Sequence, residues 1–210
     1  MNPSNIDEPI VEYEKPYEDD GSLLIATESS WRGMAVELQE LHYLRGAQFI
    51  NQLKLIVYYG DFHPVEGETN IYSAISPQDA DYDILINAAR KAVEHGYRVY
   101  ILPNPKGIRT ADFIFERKGI YKMFDLKTIT GKSSAGTRLM ESIGQTNHVI
   151  LNLTSNYEPR QLAKDVKIYF EANQEAREVL VLKGSKFLSI SRRFVEGKDF
   201  FKMFMKRFLR

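Results

Sequence analysis

The stretch from Arg109 to Leu153 constrains the fold of this chain most strongly, because it reads as strand, tight turn, strand, loop, helix and strand. Ala111–Phe115 and Tyr121–Lys127 are rich in aromatic and branched residues, as half-buried strands are. A short polar segment separates them and contains one glycine, Gly119, which can adopt a positive φ angle. We therefore predict a β-hairpin at this point of the chain.

Two carboxylates and a lysine mark the ends of these strands. Side chains alternate along a strand, so Asp125 and Lys127 are predicted to share one face. The position of Asp112 depends on the turn. A four-residue turn places Asp112 opposite Asp125, whereas a three-residue turn ending at Gly119 places it opposite Phe124, unless a bulge restores the register. Both alternatives stay open at the level of sequence.

The rest of the chain predicts an α/β (α+β) fold. From Pro77 onwards the patterns give the order αβββαβ and then αββ, with a helix that starts at Ser76-Pro77 and runs to His95. Later elements are predicted as a strand at 98–102, a helix capped by Ser133 or Ser134, a strand at 148–153, a helix at 159–173 and strands at 178–182 and 186–191. The predicted domains are a flexible acidic arm (1–21), a mainly helical extension (22–75, with a strand at 22–27, a helix at 29–51, and 52–59 as either helix or strand), a domain at 77–191, and a basic amphipathic C-terminal helix (192–210).

Composition excludes several classes of function. The chain has 210 residues and no cysteine, so disulfides, thiol catalysis and thiolate metal sites are excluded together. It contains no apolar run long enough to span a bilayer, and its acidic start is unlike a signal peptide, so we expect a soluble cytoplasmic protein. Net charge is zero, but residues 1–20 carry about −6 and residues 183–210 about +7. The basic end could meet phosphate, and the alternative is that the two ends partly neutralise each other.

The residue types at Asp112, Asp125 and Lys127 suit phosphodiester hydrolysis. Two carboxylates form a hard-oxygen site for Mg²⁺ or Mn²⁺, and such a cation neutralises a phosphate and activates water. A lysine on the same face can orient the water or stabilise developing charge. The alternative is an ordinary solvated pair, since a cross-strand Asp–Lys contact contributes only ~0.2–1 kcal/mol.

The motif Ala111-Asp112 followed by Asp125-Leu126-Lys127 resembles the PD-(D/E)xK signature of the restriction-endonuclease-like superfamily, with alanine in place of proline. His95–Pro103, Ala111–Phe113, Phe124–Thr128 and Gly144–Leu153 also resemble the C-terminal toxin domains of contact-dependent growth-inhibition proteins, several of which are tRNA nucleases. The resemblance implies a metal-dependent endonuclease of toxin type that acts on RNA, most plausibly tRNA, with DNA second. It also implies a delivered module and an immunity protein as partner.

The resemblance assigns roles residue by residue. Asp112 and Asp125 would be metal ligands, Lys127 the catalytic lysine, and Gln145 a neighbour of the site. Supporting and phosphate-binding roles are assigned to Thr128, Thr130, Lys132, Ser133 and Arg138. Relatives often carry a glutamate on the preceding helix. The nearest counterparts here are Asn87, Asp83 and Glu94, and none is a clean match.

Two other functions stay open. His148 with Lys127 and Thr128 could form a metal-independent ribonuclease site of the barnase, EndoU or RelE type. A catalytically degenerate nuclease fold would instead bind nucleic acid or protein. For the C-terminal helix, the spacing of Phe204 and Phe208 favours docking on its own domain, while its basic residues would also suit a membrane, a nucleic acid or a partner groove.

Overall fold

The computed structural model describes Met34, Leu38 and residues 41–104, 110–131 and 134–209. The chain divides into two compact units, Met1–Lys122 and Met123–Arg210. The boundary falls inside the region 77–191, which the sequence predicts as one domain. The predicted acidic arm and the predicted strand at 22–27 lie outside the described residues.

The described part of the first unit contains two helices and four strands: α1 Gly46–Tyr59, β1 His63–Pro64, β2 Ile71–Ser73, α2 Tyr82–Glu94, β3 Arg98–Ile101 and β4 Phe113–Arg117. A 3₁₀ turn at Leu41–Tyr43 precedes α1. Strand β2 pairs antiparallel with β1 and parallel with β3, and β3 pairs antiparallel with β4.

Two expectations for this unit need correction. Residues 52–59 continue helix α1, while the helix predicted from 29 to 51 is interrupted at Leu44 and Arg45. Helix α2 starts at Tyr82 rather than at Ser76-Pro77. Residues 76–82 instead form two successive turns, since the Asp79 amide donates to the Ser76 carbonyl and the Tyr82 amide to the Asp79 carbonyl, both at 3.0 Å. These bonds join residues three apart, whereas α-helical bonds join residues four apart.

The turn between β4 and β5 (Ile120–Ile129) has two residues, not the three or four considered above. Lys118 and Gly119 have φ angles of 53° and 79°. Positive φ at both positions defines a type I′ turn, whose twist matches that of the strands it joins. The Gly119 amide donates to Glu116 Oε1 at 2.7 Å.

The second unit contains most of β5 and everything that follows. The elements after β5 are α3 Ala135–Glu141, β6 His148–Leu153, α4 Pro159–Ala172, β7 Glu178–Lys183, β8 Lys186–Ser191, α5 Arg192–Glu196 and α6 Phe200–Leu209. Strand β6 lies between β5 and β7, parallel to both, and β7 pairs antiparallel with β8. Helices α3 and α4 provide the two parallel crossovers, as parallel strands require.

One apolar cluster holds the second unit together. It combines Val149 and Leu151 of β6 and Val181 of β7 with side chains from the four helices. Helix α6 contributes Phe200, Phe204 and Phe208, which are all buried, so the C-terminal helix docks on its own unit as predicted.

The structure confirms the fold class. The element order from α2 onwards is αβββαβ and then αββ, and the described part of the chain contains an N-terminal helix, a mixed set of strands and a C-terminal helix. Assignment to the restriction-endonuclease-like superfamily stays a prediction. Among the described residues, no helix is both long enough and apolar enough to cross a membrane.

Docking of α6 predicts unequal effects of two phenylalanine truncations. Phe204→Ala empties a fully buried position and should lower the free energy of unfolding by about 3–5 kcal/mol. Phe201→Ala, on a side chain that is 41% exposed in the same helix, should change it by less than about 1 kcal/mol. Urea denaturation followed by circular dichroism measures both, and equal effects would show that α6 is not docked.

The type I′ turn predicts that Gly119→Ala destabilises the protein by about 1–2 kcal/mol, through the left-handed conformation alone. An added Cβ would meet no atom within 4 Å at Gly119, and none at Gly131, where φ is not positive. Gly131→Ala is therefore the matched control and should be nearly neutral. The melting temperatures of the two variants give the comparison, and identical values would refute the turn type.

Candidate active site in the second unit

Asp125 and Lys127 bring two charges onto the apolar face of the sheet. Asp125 is in register with Val149 and Lys127 with Leu151, and side chains in register on parallel strands share a face. Val149 and Leu151 belong to the apolar cluster beneath α3 and α4. The strand therefore places a carboxylate and an ammonium within a layer of hydrophobic side chains.

The two charges form a close ion pair, and an amide completes the cluster. Lys127 Nζ lies 2.7 Å from Asp125 Oδ2 and donates to Oδ1 at 3.0 Å. It also donates to Gln145 Oε1 at 3.1 Å. The Asp125 side chain is 4% exposed and that of Lys127 16%. Well-packed apolar side chains are often at least as stable as a buried ion pair, so stability alone does not account for these residues.

Gln145 is held in place by the turn that follows α3. The backbone amide of Gln145 donates to the Ser142 carbonyl at 3.0 Å, and Gly144 takes a φ angle of 85°. The hydroxyl of Thr146 donates to the Met123 carbonyl on β5 at 2.9 Å. These bonds hold the turn against the strand that carries Asp125 and Lys127. The backbone at Gln145 is therefore fixed in a position from which its side chain contacts Lys127.

The start of α3 is fixed against α4. Ser134 caps the helix as predicted, accepting from the Thr137 amide at 3.0 Å. The Ala135 amide donates to the Tyr157 hydroxyl at 3.0 Å, and that hydroxyl donates to Asp165 Oδ2 at 2.7 Å. Burial raises the pKa of Tyr157, so its hydroxyl keeps the proton that it donates.

Tyr169 is a buried neighbour of the cluster that the sequence did not mark. Burial raises its pKa, and the negative charge of Asp125 adds to that increase. Its hydroxyl accepts from Asn173 Nδ2 at 3.3 Å. The phenol therefore stays neutral beside the carboxylate. A tyrosine on the apolar stripe of a helix is ordinary in a core, which explains why no sequence signal distinguished it.

Other predicted residues of this unit lie elsewhere. Thr128 points to the opposite face of β5 from Lys127, and Thr130 is exposed beyond the end of the strand. Arg138 lies on the solvent side of α3, in an ion pair with Glu141 at 2.8 Å. Lys132 and Ser133 lie outside the described residues.

Three predicted residues belong to the first unit. Asp112 is half-buried just before β4, and its carbonyl accepts from the Leu102 amide at 2.9 Å. Asp83 and Glu94 are exposed in the first turn and at the end of α2. The role of Asp112 as a second metal ligand stays a prediction from the sequence, as do those of Asp83 and Glu94.

His148 does not join Lys127. Its ring centroid lies 5.2 Å from that of Phe124, and both residues occupy the face of the sheet opposite Asp125 and Lys127. The histidine–lysine combination of a metal-independent ribonuclease is therefore not assembled in this unit.

The donor set of the cluster suits a hard divalent cation with few protein ligands. Asp125 offers carboxylate oxygens and Gln145 an amide oxygen, which are ligand types that Mg²⁺ accepts. Within the described ranges, no group of three or more histidine, cysteine or acidic side chains could hold a metal ion. Such a cation would be held here by the single Asp125 carboxylate and by Gln145 Oε1, and otherwise by water and substrate phosphate.

The chain matches no protein-family model and no curated protein. A solved CdiA-CT/CdiI toxin and immunity complex from Burkholderia pseudomallei is similar in structure to this chain, with a TM-score of 0.39 and 19% sequence identity. The match covers 56% of this chain and 92% of that chain.

The buried ion pair predicts a strong coupling between its two members. Lys127→Met should lower the free energy of unfolding by about 3 kcal/mol, because it leaves the Asp125 carboxylate buried without its cation. The double variant Asp125→Leu/Lys127→Met should recover most of that loss. Arg138→Met, which breaks an exposed ion pair, is the control and should cost less than about 1 kcal/mol. A double variant as unstable as the single one would contradict the pairing.

Proposed function

We propose that the chain is a nuclease that hydrolyses phosphodiester bonds in RNA, with Asp125 and Lys127 at its reaction centre. The observation that supports this most is the Asp125 carboxylate, 4% exposed and 2.7 Å from the Lys127 ammonium within an apolar layer. Because desolvation opposes ionised groups in such surroundings, a buried ion pair of this kind is a candidate functional site.

The proposal includes a divalent cation, Mg²⁺ or Mn²⁺, with Asp125 as a ligand. When bound, such a cation neutralises phosphate charge and lowers the pKa of a coordinated water. Gln145 Oε1 is a second oxygen donor in the cluster, and Asp112 is the further carboxylate that the sequence resemblance suggests.

Lys127 would act on the phosphate itself. Asp125 and Gln145 each accept a hydrogen bond from its ammonium and so fix its position. An ammonium has three N–H groups, and one directed at a phosphoryl oxygen would stabilise the negative charge that builds up there. In hydrolysis, a water oxygen bonds to phosphorus, the bond from phosphorus to the leaving oxygen breaks, and that oxygen gains a proton.

Preference for RNA, and for tRNA in particular, comes from the resemblance to contact-dependent growth-inhibition toxins. The same resemblance suggests that the chain is a delivered toxin module and that an immunity protein inhibits it.

A binding module is the second candidate. It is favoured by the lack, among the described residues, of a group of three metal-binding side chains. A degenerate nuclease fold would bind RNA through its cations and leave it intact. The two candidates differ in one measurable property, which is cleavage.

Cleavage of total RNA and of plasmid DNA, each with Mg²⁺, Mn²⁺ or EDTA, tests the proposal. Wild type should cleave RNA only with metal, and Asp125→Asn should reduce the rate by about 10²-fold or more, because the ligand charge is lost. Glu141→Gln makes the same acid-to-amide change on the exposed side of α3 and should cleave at the wild-type rate.

The other outcomes each exclude part of the proposal. Cleavage that persists in EDTA would exclude a metal requirement, and cleavage of DNA alone would exclude RNA as the substrate. Binding of RNA without cleavage under any metal would establish the binding module instead.

A further inference from the structure

A second concentration of charge lies at the other edge of the second unit. A hollow of about 160 Å³ is lined by Lys183 at the end of β7, Lys186 at the start of β8 and Arg207 on α6. Its remaining lining is apolar: Val181, Phe187, Leu188 and Phe208. Three cations from three elements thus converge on a hollow whose described lining contains no acidic residue.

Two of these cations face each other across the hairpin. Lys183 and Lys186 are directly opposite each other across the β7–β8 pair. Like charges in directly opposed positions destabilise a sheet. Their ammonium groups lie 5.3 and 5.9 Å from the centroid of the same ring, that of Phe208. An anion in the hollow would relieve the repulsion.

Structural roles explain only part of the cluster. Lys186 Nζ donates to the Phe208 carbonyl at 2.7 Å and so stabilises the last turn of α6. Arg207 stacks on Phe194, with its guanidinium carbon 4.4 Å from the ring centroid. These contacts hold two of the cations in place, which reduces the entropy lost when a ligand binds. The Lys183 ammonium in turn lies over the Phe208 ring, but no acidic residue of the described lining neutralises the three charges.

The positive charge extends beyond the hollow. Residues 183–209 contain eight lysines and arginines and two acids. Lys198, Lys202 and Lys206 are exposed along or just before α6, while the Glu196 carboxylate lies 3.4 Å from Arg192. An extended run of cations suits a polyanion better than a single small anion.

The hollow shares a sheet face with the reaction centre. Lys127, Leu151, Val181 and Leu188 are in register in one row across β5 to β8. The row spans three strand spacings, or about 14 Å, and its side chains point to the same face. Leu151 and Val181, which lie between the two places, are buried beneath the helices, so an RNA that contacts both would have to pass over those helices.

We propose that Lys183, Lys186 and Arg207 form a subsite for the backbone phosphates of the substrate RNA. The identity of the polyanion rests on the proposed function, whereas the subsite itself is tested by binding. Phosphate contacts of this kind give affinity without sequence specificity and make binding depend on salt.

Fluorescence anisotropy with labelled total tRNA in EDTA measures binding in the absence of cleavage. Lys183→Gln/Arg207→Gln should weaken binding. It should also make the negative slope of log K against log salt shallower by about 2, one for each phosphate that the variant no longer neutralises. Arg160→Gln/Lys164→Gln removes the same charge from exposed positions of α4 and should leave the slope nearly unchanged. Lys183→Gln alone should change the melting temperature little, since it removes both the repulsion from Lys186 and the contact with the Phe208 ring, which oppose each other.

Equal slopes for the two double variants would overturn the subsite. So would a parallel assay in which the Lys183/Arg207 variant loses binding to phosphatidylserine vesicles but keeps its RNA affinity. A lower slope together with no cleavage by wild type would support the subsite and refute the nuclease, whereas cleavage with an unchanged slope would do the reverse.

Discussion

The buried contact between Asp125 and Lys127 constrains the packing of the second unit. Placing a carboxylate beneath two helices opposes folding unless a cation accompanies it. Lys127 supplies that cation, and Gln145 accepts from its ammonium. Gln145 is positioned by the turn after α3, and α3 is held on α4 through Tyr157. The polar cluster and the helix packing therefore support each other, so a change in one is expected to disturb the other.

The sequence period of helix α6 separates its buried phenylalanines from its exposed basic residues. Its phenylalanines recur every four residues and complete the apolar cluster beneath the sheet. Its lysines and arginines occupy the intervening positions and remain exposed, next to the hollow at the β7–β8 turn. The same helix thus stabilises the unit and supplies positive charge beside the face that carries Asp125 and Lys127.

Period-2 and period-3.6 patterns were sufficient to predict most elements of the second unit. The strands at 148–153 and 186–191 were located at their observed limits, and Asp125 and Lys127 were placed on one face, because both follow from local alternation. The start of α2 differs from the prediction because residues 76–82 form two turns whose backbone bonds join residues three apart. Other features depend on tertiary packing and strand register, which one sequence does not specify. They are the burial of Asp125, its proximity to Tyr169 and the position of Lys183 opposite Lys186.

Electron paramagnetic resonance of Mn²⁺ can detect a metal centre at Asp125, because free Mn²⁺ gives a strong signal that diminishes when the ion binds protein. We expect saturable binding to the wild-type chain and loss of that binding in Asp125→Asn, with Glu141→Gln behaving as wild type. Saturable binding that survives Asp125→Asn would place the metal elsewhere. The absence of binding in the wild type would contradict a metal centre at Asp125.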